Sequence, residues 1–95
     1  MHASLWTFRG DPDDLLRRFD GMLAEAPLAQ MHVMLALRAP EGLVVVDTCP
    51  TREAYESFRD GAWLANVLSR HGLPRPAMRD YPVEREVLAG ALVAA

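Results

Sequence analysis

The sequence predicts an α+β fold in which helices cover one face of an antiparallel sheet, in the ferredoxin-like order β-α-β-β-α-β. Three observations lead there. Met31 to Arg38 and Leu43 to Thr48 are two β-rich runs around Ala39-Pro40-Glu41-Gly42. Stretches with apolar residues at three- and four-residue spacing lie on either side of that hairpin. Short alternating runs stand near both chain ends. Residues 1–95 make a single domain, and a chain this short buries only about 65% of its unfolded surface on folding alone.

The first run, Ala3 to Phe8, alternates Leu5 and Thr7 against Trp6 and Phe8. Asp11-Pro12-Asp13-Asp14 opens a helix: Asp11 suits the cap, Pro12 the first helical position, and the acids favour the positive end of the dipole. Leu15, Leu16, Phe19, Met22 and Leu23 form its inner face, and Pro27 closes it. After the hairpin, Thr51 caps a second helix with Ala54, Tyr55 and Phe58 inside. Asp60-Gly61 interrupts that helix, Trp63, Leu64, Val67 and Leu68 continue its pattern, and Gly72 stops it. Met78 to Leu88 reads as the final strand, with Pro82 requiring a sheet edge or a bulge. The apolar tail, Ala89 to Ala95, is expected to fray or lie across a partner.

The hairpin has two unlike faces. Pro40 fixes φ and Gly42 tolerates a positive one, so Ala39 is expected opposite Gly42. Leu37 then meets Val44, Leu35 meets Val46 and Val33 meets Thr48. The other face pairs Arg38 with Leu43, Ala36 with Val45, Met34 with Asp47 and His32 with Cys49. A one-residue slip would mix the two sets. The expectation is that the first face packs on the helices. The second would be covered by another copy of the sheet, enclosing His32, Asp47 and Cys49, because an apolar face left in water is larger than monomers tolerate.

Composition excludes several classes. Net charge is −3 and no basic run is present, so nucleic acid is not an expected partner. Cys49 is the only cysteine, which rules out an intrachain disulfide or a thiolate metal site within one chain. No two histidines stand at metal-ligand spacing, and no glycine-rich phosphate cradle is found. Metal and cofactor are both expected to be none. No window approaches the ~20 apolar residues that span a bilayer, and the start lacks a charged-then-apolar pattern. A cytoplasmic protein without membrane contact is expected.

With element order, the Phe8-Arg9-Gly10-Asp11-Pro12 junction and the segment Gly42 to Phe58 in view, the chain resembles the dimeric α+β barrel superfamily, and more narrowly its antibiotic-biosynthesis-monooxygenase-like branch. The resemblance covers residues 3–88. It implies a homodimer with a cavity in each subunit between sheet and helices, open to small aromatic or polyketide-like molecules. Some relatives oxygenate such molecules without flavin or metal, others degrade haem, and others cyclise polyketides. Cys49 stands where many relatives carry tryptophan, and the helix after it holds Arg59 and no histidine.

Against that background, His32 is the candidate base and Asp47 its proton acceptor. Cys49, opposite His32, is a candidate pocket wall; a nucleophile would also need a lowered pKa. Met34, Tyr55, Trp63 and Tyr81 are the candidate ligand contacts, the tyrosines through their hydroxyls. The expected activity is that of a cofactor-independent monooxygenase, in which the base removes a proton from an electron-rich phenol or enol. A non-redox cyclase or isomerase, or an accessory protein that only binds a ligand, fits the same residues.

Overall fold

In the computed structural model, which describes residues 1–94, the fold is mixed α+β: a four-stranded antiparallel sheet and three helices, compatible with a ferredoxin-like domain. The elements are β1 (His2–Arg9), α1 (Pro12–Leu23), β2 (Met34–Ala39), β3 (Gly42–Cys49), α2 (Arg52–Asp60), α3 (Ala62–Arg70), β4 (Ala77–Pro82), β5 (Glu86–Leu88) and β6 (Ala91–Ala94). Strand order is β2-β3-β1-β4, with β5 and β6 as a separate pair. Among the described residues no helix is long and apolar enough to cross a membrane.

Local chemistry sets the helix starts. The Asp11 carboxylate accepts from the Asp14 amide at 2.9 Å, and Pro12 follows as the first helical residue. Thr51 does the same for α2, its hydroxyl accepting from the Ala54 amide at 3.0 Å. Leu15, Phe19 and Met22 are buried on α1, as their spacing predicts. That helix ends at Leu23, before Pro27, which leads instead into a single 3-10 turn at Leu28–Gln30. The second helical pattern is two helices. A Cβ at Gly61 would stand 2.7 Å from the Ser57 carbonyl oxygen, so the chain turns there through the one residue type that fits.

The β2–β3 register is the one the sequence predicts, from Ala39 opposite Gly42 to Met34 opposite Asp47. Gly42 is required because a Cβ there would lie 1.9 Å from the Phe8 carbonyl oxygen. Beyond the ladder, the Thr48 amide donates to the Val33 carbonyl at 3.2 Å.

The assignment of the two faces is the reverse of the expectation. Trp6 pairs with Val45 and Phe8 with Leu43, so the face bearing Met34, Ala36, Leu43, Val45 and Asp47 also carries β1's aromatics. That face packs under the helices. Trp6, Phe8, Leu43 and Val45 are buried against Phe19, Met22, Leu64 and Val67. β1 adds Trp6 and Phe8 to this face and only Ala3, Leu5 and Thr7 to the other, so joining β1 tips the apolar balance toward the side the helices cover. The opposite face stays open, with Leu5, Leu35, Leu37 and Tyr81 exposed.

The expected final strand, Met78 to Leu88, is also revised. β4 ends at Pro82 on the sheet's edge, where only β1 pairs with it. The chain then leaves the sheet, and β5 pairs with β6, so the tail forms a hairpin through Ala94. Ala95 lies outside the described residues.

Candidate functional site

β3 runs under the helices and ends in Asp47-Thr48-Cys49, where strand gives way to the α2 cap. Alternation along β3 turns Asp47 inward, next to Val45 and Leu43. A cavity of about 380 Å³ opens there, lined by Pro27, Met31, Asp47, Thr48, Cys49, Phe58 and Trp63. Its aromatic wall is continuous with the core: Trp6 stacks on Phe58 at 5.4 Å between centroids, and Phe58 meets Trp63 at 5.8 Å. Trp63, partly exposed, forms the rim.

At the inner end sits a carboxyl group with one oxygen left unpartnered. Asp47 is only 6% exposed, and its Oδ1 has no hydrogen-bond partner in the described structure. Burial raises its pKa from 3.8 to about 6, a shift the Thr48 amide only partly offsets. Ser4 faces it across the β1–β3 ladder; its hydroxyl accepts the Trp6 indole N–H at 2.9 Å and makes no hydrogen bond to the Asp47 Oδ1. An uncompensated carboxyl in so dry a place is costly to the fold. It gains a proton or a ligand's donor at little further cost.

Cys49 lies beside it in the cavity wall. Burial, and then the charge of Asp47, push its thiol pKa up, so the thiol stays protonated near neutrality and makes a poor nucleophile. This fits a wall residue.

The structure divides the other candidates. His32 is exposed, and its Nε2 pairs with the Glu86 carboxylate, so the expected His32–Asp47 pair is not formed. His32 borders a separate recess of about 180 Å³ with Met1, Thr48, Cys49 and Pro50. Cys49 thus stands between the two hollows, Asp47 on one side and His32 on the other. Met34 is opposite Asp47 on β2 and packs against the core. Tyr55 is fully buried on α2, with the Arg59 guanidinium 5.4 Å above its ring. Tyr81 is on the open face, opposite Ala3, remote from this cavity. Trp63 alone of the candidate aromatics lines it.

Pro27, Met31 and Phe58 line the cavity although nothing in the sequence marks them as more than a stop, a gap-filler and a core residue. A larger, open depression of about 480 Å³ lies between α1 and the end of α3. Its cations are already engaged, Arg17 and Arg18 by Asp14, and Arg70 and His71 by Glu25. Among the described residues no group of three His, Cys, Asp or Glu side chains is arranged to hold a metal ion.

Compared with known proteins, the chain matches no family model, no curated protein and no solved structure.

Proposed function

We propose that this chain is a cytoplasmic homodimer of the dimeric α+β barrel type that binds a small aromatic or polyketide-like molecule between sheet and helices, and that Asp47 exchanges a proton with it. The single observation carrying this reading is the unpartnered Oδ1 of a buried carboxyl at the inner end of an aromatic-walled cavity. A phenol or enol lying against the Phe58–Trp63 wall would place its acidic hydrogen at the one group there able to take it. With a pKa of about 6, Asp47 is ionised at neutral pH yet basic enough to be an effective acceptor. The role first expected of His32 passes to Asp47. The apolar walls keep water from the resulting anion, which can react onward with oxygen, as in the monooxygenase reading, or close a ring, as in a cyclase.

Two surfaces support the homodimer. The open sheet face exposes Leu5, Leu35 and Leu37, and the β5–β6 hairpin exposes Val87, Leu88, Leu92 and Val93. An isolated two-stranded hairpin is marginal in water, and apolar patches of this extent mark interfaces.

Deuterium exchange into the acidic C–H of anthrone, followed by NMR, tests the chemistry. The wild-type protein is expected to accelerate exchange, with a rate that rises through pH 6 to a plateau, and Asp47→Asn to lose about 100-fold. Equal rates for the two proteins would remove Asp47 from the mechanism. Oxygen uptake coupled to turnover selects the monooxygenase; turnover unchanged without oxygen selects the cyclase or isomerase.

A further inference from the structure

The open sheet face has a chemical asymmetry that the aromatic-walled cavity does not use. Its β2–β3 side is apolar, built from Leu35, Leu37, Val44 and Val46. Its β1–β4 side holds a second cavity of about 350 Å³, lined by Leu5, Thr7, Arg9, Ala77, Arg79 and Tyr81. Thr7 and Ala77 face each other across the ladder, and these small side chains leave the floor between the two arginines empty. Every other arginine in the chain donates to a carboxylate or to a backbone carbonyl. Among the described residues, Arg9 and Arg79 do neither. No strand position on this face is acidic.

Two unengaged guanidiniums on a sheet face whose strands carry no acid, beside a hydroxyl, a phenol and an apolar stripe, describe an anionic head group with a hydrocarbon body. We propose that this face binds a monocarboxylate with an extended apolar chain. Its carboxylate is held between Arg9 and Arg79 above Thr7 and Ala77, in the geometry that guanidinium forks favour. Its chain crosses Val44 and Leu37, which follow Thr7 along the same row of the sheet. From β1 to β2 that row spans two strand spacings, about 10 Å, which suits a medium-chain acid. One chain builds the whole site, so it does not rest on the dimer. Neither of two such faces, if stacked, would supply an acid from its strands, and the bound carboxylate provides the missing charge.

Calorimetric titration of the full chain with octanoate, 1-octanol and acetate tests this. Octanoate is expected to bind at least about tenfold more tightly than either of the others, since one lacks the charge and the other the chain. Arg9→Gln/Arg79→Gln is expected to weaken octanoate by about tenfold or more while leaving 1-octanol unchanged, and Arg9→Lys/Arg79→Lys to weaken it less, since the charge stays while the fork is lost. Trp63→Ala, in the other cavity, is expected to leave octanoate binding intact. Octanoate and 1-octanol binding alike, octanoate not binding, an unaffected double Gln variant, or loss of octanoate binding in Trp63→Ala would each overturn the proposal.

Discussion

Asp47 shows how one residue can weaken the fold where it enables chemistry. Its carboxyl has an ordinary pKa of 3.8 and a folded value of about 6, so between those pH values the folded chain holds a proton that the unfolded chain has lost. The stability of the neutral acid is therefore complete below about pH 4 and is lost as pH rises through 6. Above that, the folded state carries a penalty on the order of 3 kcal/mol. Asp47→Asn is expected to raise stability by about 2–3 kcal/mol at pH 8 and to change little at pH 4. Urea unfolding at the two pH values measures this; a variant less stable at pH 8 would mean that the carboxylate is paired after all. The same substitution removes the proposed proton acceptor, so gain in stability and loss of activity should appear together.

At the scale of elements, the legible features were those decided by neighbours in sequence. The caps at Asp11 and Thr51 each depend on a side-chain oxygen three residues before the backbone amide that donates to it. The hairpin register follows from one turn and a period of two. What was not legible depends on distant residues. Both hairpin faces are apolar enough to face helices, and the choice is made by β1, whose Trp6 and Phe8 join one of them. His32 finds its acid 54 residues away, on a strand that the sequence merges with β4. Alternation continues past Pro82, so the pattern alone does not show the chain leaving the sheet. The cavity's Pro27 and Met31 come from an irregular segment, where no periodicity reports orientation. The break between α2 and α3 was visible as Gly61, and its cause is steric. Gly61→Ala is expected to destabilise by about 1–3 kcal/mol, since its Cβ would press on the Ser57 carbonyl. Thermal melting checks this, and an unchanged midpoint would show that the backbone relaxes freely.

At the scale of the whole molecule, a single chain leaves the open sheet face and the C-terminal hairpin in water. Leu35 and Leu37 are about half exposed. The proposed dimer covers the face, so Leu35→Asp is expected to shift the mass measured by sedimentation equilibrium from two chains to one. A wild-type chain that is monomeric at high concentration would remove that assembly. The two cavities then lie on opposite sides of one sheet, an aromatic one beneath the helices and a cationic one on the open face. What the first of these does turns on the protonation of one side chain. Carbon-13 NMR titration of the Asp47 carboxyl, assigned by its loss in Asp47→Asn, measures that protonation directly. A midpoint of about 6 is expected for the free protein. A midpoint near the ordinary 3.8 would mean a solvated or paired carboxylate, and no base waiting in the cavity.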